Sequence, residues 1–173
     1  MGEKMSYKAL FIYIGVLLIL SPFIDNSTAE DVTDNNPPYA GADGHQIKLI
    51  NNENATNVTY AELVSFIIGD LTDKKKYVPR EYTCGDYAET LHNRAEKRGI
   101  KAAWVAVDFE SDPERHACNA FYTTDKGLIF IDCVESDAWV ECKIGKTYKL
   151  HSLKNGYYYR DDMGIVSNIE IYW

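Results

Sequence analysis

Basic residues are scarce in this chain. Lys and Arg together number 18 against 26 Asp and Glu, so the formal net charge is −8. This charge repels a phosphate backbone, and we therefore expect no nucleic-acid partner. The chain also lacks an internal repeat of solenoid period. Its 46% hydrophobic and 25% charged residues indicate one ordinary globular domain with an accessory segment.

Long hydrophobic runs are also missing. The longest covers residues 9–20, whereas a helix needs roughly 20 apolar residues to cross a bilayer about 30 Å thick. Two lysines precede this run, and a proline and then small residues follow it, which is the order of a signal peptide. We expect residues 1–29 to be a cleaved signal peptide, with an uncleaved membrane anchor over residues 9–24 as the alternative. Either places the domain outside the cytoplasm, secreted or at the cell surface.

Residues 30–58 are rich in Asp, Asn, Thr, Gly and Pro and show almost no apolar periodicity. Such a composition predicts a polar linker or loose arm. Asn54 and Asn57 each begin an Asn-x-Thr triplet, so an exported chain has acceptor sites for N-glycans here. We expect the folded domain to occupy residues 59–173.

Two helices are predicted at the start of this domain. Thr59 and Glu62 form a capping box, after which apolar residues recur at helical spacing. A second apolar stripe begins at Cys84, and Gly99 follows its basic last turn as a stop signal.

Strands are predicted next in the chain. Segments 102–109, 117–123 and 128–133 are rich in β-branched and aromatic residues, and alternating stretches follow at 147–150 and 166–173. The sequence therefore predicts an α+β fold with helices on an antiparallel sheet.

A hairpin connects the second and third predicted strands. If Gly127 takes the left-handed bulge position of a three-residue loop, Thr124 faces Leu128. Ala120 then opposes Asp132, and His116 projects from the same face because side chains alternate along a strand. This register predicts that His116 and Asp132 converge.

Cys84 has the position of a nucleophile. At the first turn of a helix, free backbone N–H groups and the helix dipole stabilise a thiolate. Thiolate catalysis also needs a base and a group that orients the base. Of the four histidines, His45 lies in the arm, His92 is expected on the exposed side of the second helix, and His151 lies late in a polar stretch. Only His116 lies on a strand beside a carboxylate, that of Asp132.

These residues resemble the transglutaminase-like domain, a family of the papain-like cysteine enzymes. The resemblance covers about residues 60–135 and rests on short motifs: Cys84-Gly85-Asp86-Tyr87-Ala88, Arg94-Ala95, Gly99-Ile100, His116-Ala117 and Asp132. Cys118 stands where the family usually has Trp, and Cys133 where it usually has Pro.

The resemblance implies a papain-like fold, in which a helix that bears the nucleophile packs on an antiparallel sheet. It also implies a catalytic triad of Cys84, His116 and Asp132 that hydrolyses or transfers the acyl group of amide bonds. The substrate would be a protein, a peptide or a cell-envelope component, and no cofactor or metal is implied. The Cys84 backbone N–H is the expected oxyanion donor, with Tyr77 or Tyr82 as candidates for a second donor.

Other interpretations of the same residues remain. Four cysteines in an exported chain allow three disulfide pairings, one of which can include Cys84. If Cys84 is catalytic, Cys133 to Cys142 is the easier bridge. A metal site from Cys84, His116, Cys118 and Cys133 is a further alternative. A functional alternative is a catalytically inactive binding module that uses its tyrosine-rich face, including residues 157–159, to hold a protein or glycan.

Overall fold

The computed structural model describes residues 36–160 and 163–173. The predicted signal peptide, residues 1–29, lies outside the described residues, as does the first part of the predicted linker. Within the described ranges, no helix combines the length and the apolar content needed to span a bilayer.

Both predicted helices are confirmed. Helix α1 is Tyr60–Gly69, a 3-10 turn follows at Thr72–Lys74, and helix α2 is Cys84–Lys97. The capping box at α1 is formed, since the Glu62 carboxylate accepts from the Thr59 backbone N–H at 2.8 Å. Helix α2 begins in the same way, with Asp86 Oδ2 accepting from the Thr83 backbone N–H at 2.7 Å. Each helix therefore begins where its own side chains satisfy free N–H groups.

Seven strands form one antiparallel sheet in the described part of the chain, which confirms the α+β class. Their order across the sheet is β6-β5-β4-β3-β2-β1-β7. The strands are β1 Ala103–Phe109, β2 His116–Thr123, β3 Gly127–Asp132, β4 Ala138–Glu141, β5 Lys149–Ser152, β6 Tyr158–Arg160 and β7 Val166–Tyr172.

The predicted register of the β2–β3 hairpin is wrong by one residue on each strand. Thr123 pairs with Gly127, so Ala120 opposes Phe130 rather than Asp132. The Thr123 hydroxyl closes the loop early, because it accepts from the Lys126 N–H at 3.1 Å and donates to the Gly127 carbonyl at 2.9 Å. Gly127 has the expected positive φ of 71°. A shift of one residue on both strands preserves parity, so the predicted faces are unchanged.

Residues 36–58 belong to the folded unit instead of forming a loose arm, and we call them the N-terminal arm. Ile47 is fully buried against Trp104, and the Tyr39 ring stacks on the Trp104 ring at 5.2 Å. Two apolar anchors thus hold a segment whose composition is that of a linker. Asn54 and Asn57 are exposed, and their glycosylation stays a prediction.

The arm also corrects the placement of His92, which is fully buried rather than exposed. Arm backbone N–H groups donate to side chains on the polar side of α2: Ile50 to Asn93 at 2.8 Å and Asn52 to Glu96 at 3.0 Å. An apolar stripe cannot show that a polar helix face will be covered by another segment.

The helices cover one face of the sheet. Leu63 and Ile67 of α1 and Leu91 of α2 pack there with Phe121 and Ile131. On β2 the neighbouring Cys118 and Ala120 belong to a second cluster made of sheet and loop residues. Side chains alternate along β2, so this strand contributes to both cores. Helix α2 lies across β1 and β2.

Candidate functional site

The three predicted site residues lie where elements begin or end. Cys84 is the first residue of α2, His116 the first of β2 and Asp132 the last of β3. Cys84 and His116 line the same cavity, which has a volume of about 410 Å³. Helix packing on β2 brings the start of α2 to the start of that strand, and the hairpin brings the end of β3 beside it.

The structure brings His116 and Asp132 into direct contact. His116 Nε2 lies 2.7 Å from Asp132 Oδ2, and both side chains are buried. The two residues share a face because the hairpin register keeps even-numbered positions on one side. His116 and Asp132 therefore converge as predicted, because the parity of the hairpin was predicted correctly although its residue pairing was not.

Asp132 is held in its ionised form. Burial opposes ionisation, but the positive charge and hydrogen bond of His116 outweigh it and hold the pKa of Asp132 below its usual range. Oδ1 also accepts from the Val134 backbone N–H at 3.0 Å, and Oδ2 from the Tyr148 hydroxyl at 3.0 Å.

Tyr148 is a site residue that the sequence analysis missed. Its fully buried side chain both donates to Asp132 and sets its ring edge to face against His116, with centroids 5.4 Å apart and an interplanar angle of 79°. The residue lies just before β5, sixteen positions from Asp132. Alternating polarity around position 148 indicates a strand and carries no sign of this contact.

His116 is favoured in its protonated form. Burial lowers its pKa, but the Asp132 charge, the Asp132 hydrogen bond and a hydrogen bond with Cys84 together raise the pKa above the usual histidine value. Because Nε2 is engaged by Asp132, Nδ1 is the ring nitrogen left to face Cys84. The geometry is that of a thiol beside an imidazolium whose orientation is fixed by a carboxylate.

The two candidates for a second oxyanion donor differ in position. Tyr77 lines the cavity together with Cys84, and the residue is 37% exposed. The Tyr82 hydroxyl instead lies 2.8 Å from the Thr90 hydroxyl, and its ring packs on Tyr87. Tyr77 is therefore the better placed of the two.

Charged side chains surround the cavity. Its lining includes the acidic residues Asp112, Glu114 and Glu135 and the basic residues Arg115 and Arg160. Arg115 is already paired, since its Nε lies 2.8 Å from Asp108 Oδ1. Three acidic side chains therefore line the cavity, against one arginine, Arg160, beyond the Arg115–Asp108 pair.

The remaining cysteines do not complete a second site. All four cysteines, which fall within the described residues, have free thiols. Cys118 and Cys142 belong to the sheet cluster, whereas Cys133 packs on the helix side, so the expected bridge from Cys133 to Cys142 is not formed. The same separation of Cys118 from Cys133 removes the alternative metal site with Cys84 and His116. Burial raises the pKa of Cys118, Cys133 and Cys142, the last to about 12.

Comparison of the chain with protein-family models, with curated proteins and with solved structures found no match.

Proposed function

We propose that this chain is an extracytoplasmic cysteine-dependent hydrolase or acyl transferase that acts on amide bonds through Cys84, His116 and Asp132. The observation that carries the proposal is the buried His116–Asp132 pair beside a cysteine that begins a helix. The signal-peptide pattern of residues 1–29 supports the location. A protein, peptide or cell-envelope amide is the substrate class.

The order of the residues and their elements supports a transglutaminase-like, papain-like arrangement. The nucleophile begins a helix that packs on β2, and the base and its carboxylate partner lie on β2 and on the adjacent antiparallel strand β3. These features are independent of the motif resemblance, because they concern spatial placement rather than residue identity.

The reaction follows from the charge state of the pair. The Cys84 thiolate attacks the amide carbonyl carbon, and the tetrahedral oxyanion is stabilised by the Cys84 backbone N–H and the Tyr77 hydroxyl. The His116 imidazolium then gives its Nδ1 proton to the leaving amine as the C–N bond breaks, which leaves a thioester on Cys84. His116 next takes a proton from water or an acceptor amine, which attacks the thioester and releases Cys84.

Thiol labelling tests the proposal without knowledge of the substrate. Cys118, Cys133 and Cys142 are buried, so iodoacetamide should label only Cys84 in the folded protein. We expect rapid labelling at mildly acidic pH, slow labelling in His116→Gln, and a rate equal to wild type in the control Cys142→Ser. Labelling of wild type only at the alkaline pH of an ordinary thiol would contradict the triad.

Substitutions test the same roles once an amide or thioester substrate is found. Cys84→Ala should abolish turnover and keep the fold, as checked by circular dichroism, because Cys84 is only partly buried. Asp132→Asn should reduce turnover less than His116→Ala, since it leaves the nucleophile and base in place. Wild-type turnover in Cys84→Ala would refute the mechanism.

One observation favours the alternative of a catalytically inactive binding module. Tyr157 is 75% exposed, and exposed aromatic side chains are frequent at binding surfaces. The labelling experiment separates the two functions, because a binding module has no need of an activated thiol.

A further inference from the structure

A second group of ligand-type side chains lies between the N-terminal arm and the first turn of α2. Asp43 and His45 come from the arm and Asp86 from the helix, and their donor atoms all lie within 4.8 Å of one another. His45 Nδ1 is 2.5 Å from Asp43 Oδ1 and 3.8 Å from Asp86 Oδ1. Three donors from two separate segments thus converge on one point.

The other nitrogen of His45 has the partner that a metal-binding histidine needs. His45 Nε2 lies 2.8 Å from Glu89 Oε2, and Glu89 Oε1 is fixed by the Lys48 backbone N–H at 3.1 Å. Hydrogen bonds to Glu89 and Asp43 raise the pKa of His45 to about 9, so without an ion both ring nitrogens carry a proton. A metal ion that binds Nδ1 would displace the proton there, while Glu89 continues to accept from Nε2–H and to orient the ring. Nδ1 is the nitrogen that faces Asp43 and Asp86.

Asp86 also presents one oxygen to this point. It is 4% exposed, and its Oδ2 accepts from the Thr83 N–H at 2.7 Å and the Ala42 N–H at 3.1 Å. Oδ1 is turned toward His45. One oxygen of the Asp86 carboxylate, Oδ2, thus caps helix α2, and the other, Oδ1, is the third donor of the cluster.

Gly41 makes the approach of these side chains sterically possible. A Cβ atom at this buried position would lie 2.2 Å from His45 Cε1 and 2.4 Å from Asp86 Oδ1. Non-bonded heavy atoms do not approach this closely, so a residue other than glycine at position 41 would displace the side chains of His45 and Asp86.

We propose that Asp43, His45 and Asp86 bind a divalent transition-metal ion of the Zn²⁺ type, with Glu89 as the carboxylate that orients His45. Donors around tetrahedral zinc lie about 3.3 Å apart, given metal–ligand distances of roughly 2.0–2.2 Å. The separations of 2.5 and 3.8 Å lie on either side of this value. The Asp43 side chain is 61% exposed and is free to make the small adjustment.

The donor set favours zinc over the hard cations. Ca²⁺ and Mg²⁺ prefer oxygen ligands, whereas an imidazole with two carboxylates suits Zn²⁺. The side chains of Asp43 and His45 are accessible to water, which completes the coordination sphere. The bound ion would fasten the arm to α2 two residues after Cys84.

Zinc titration tests the site in a Cys84→Ala background, which removes the Cys84–His116 pair as a competing ligand set. We expect calorimetry to show one Zn²⁺ per chain and the thermal midpoint to rise with zinc concentration. Asp43→Asn should weaken binding about tenfold or more, as should Glu89→Gln. The matched control is His151→Gln, a histidine that pairs with Glu141 at 2.8 Å outside this cluster, and it should bind zinc unchanged.

The outcomes are distinguishable because Asp43 is exposed and its substitution should not disturb folding. Loss of binding in both His45→Gln and Asp43→Asn, with circular dichroism unchanged in the latter, supports the site. Absence of saturable binding, or equal binding in Asp43→Asn and the background, would overturn it. In that case the cluster is an ion-pair group around a protonated His45.

Discussion

Asp132 accepts hydrogen bonds from three different parts of the chain: the ring of His116, the hydroxyl of Tyr148 and the backbone N–H of Val134. A buried carboxylate is stable only when its oxygens are satisfied in this way. The base of the proposed triad is thus oriented by a residue that is itself fixed on every side, which limits the motion of the imidazole.

Tyr148→Phe should destabilise the domain by about 1.5–3 kcal/mol, the range for a hydrogen bond to a charged group. The change removes only the hydroxyl that donates to Asp132. Urea denaturation measures the loss. Tyr172→Phe is the matched control, because its hydroxyl donates to Glu170 at 2.6 Å in a partly exposed position and should contribute less. Equal losses in the two variants would contradict the special role of Tyr148.

The His116–Asp132 pair predicts a dependence of stability on pH. The pKa of His116 is raised in the folded state, so its contribution is complete below about pH 6.5 and is lost as pH rises through the folded value. The pKa of Asp132 is lowered, so its contribution is complete above about pH 4 and is lost as pH falls through the folded value. The pair therefore stabilises the fold most between about pH 4 and pH 6.5.

We expect the difference in unfolding free energy between wild type and Asp132→Asn to be largest near pH 5–6 and to shrink above about pH 7. In the variant, buried His116 has no counter-charge and stays neutral in the folded state. Below about pH 6.5 the unfolded chain binds a proton at His116 that the folded variant does not bind, and this lowers the unfolding free energy of the variant. Urea titrations at a series of pH values measure this difference. A constant difference across the range would show that His116 and Asp132 do not interact as an ion pair.

Among the elements, the β2–β3 hairpin determines the site because it sets which residues share a face. Gly127 has a φ of 71°, where a side chain is strained. Gly127→Ala should cost about 1 kcal/mol in thermal or urea unfolding. Gly69→Ala is the control, because Gly69 ends α1 without a positive φ and with open space around it, so alanine there should be neutral or stabilising. Equal effects would mean that the turn imposes no strain.

Local signals predicted the elements well. The capping box at Thr59 and the apolar stripes predicted both helices, and runs of β-branched and aromatic residues predicted β1, β2 and β3. The exact hairpin register was not predicted, because the expected three-residue loop was based on Gly127 alone. The observed loop is closed by the Thr123 hydroxyl, which bonds to Lys126 and Gly127. The periodicity of helices and strands is visible within a few residues of sequence. The hydrogen bonds of the Thr123 hydroxyl depend on the three-dimensional path of the loop, which the sequence pattern does not show.

Contacts between distant segments were not predictable in the same way. The packing of Tyr39 and Ile47 on Trp104 and the bond from Tyr148 to Asp132 join residues far apart in the chain. Neither leaves a periodic trace in the sequence. The convergence of His116 and Asp132 was an exception. In a hairpin, side chains alternate between the two faces, so odd or even position alone decides whether two residues on neighbouring strands share a face.

For the whole molecule, charge should govern access to the thiol. The chain has a net charge of −8, and Asp112, Glu114 and Glu135 line the cavity of Cys84. We expect a cationic methanethiosulfonate reagent to modify Cys84 faster than an anionic one of similar size.

The ratio of these two rates should fall with added salt and in Glu114→Gln. Asp125→Asn, an exposed acidic residue in the hairpin loop, is a control of equal charge change. A ratio that does not respond to Glu114→Gln would show that the cavity charges do not act on incoming reagents.

The order of the sheet has a consequence for folding kinetics. Strands β1 to β6 each pair with their neighbour in the chain, but β7 must return to β1, where Trp104 meets Tyr172. Closing so long a loop is slow compared with forming hairpins. Until β7 arrives, the apolar strand β1 is an open edge that another unfolded chain can occupy. Refolding yield should therefore fall as protein concentration rises. Pairing of β7 with β1 closes the edge through which two folding molecules would otherwise associate.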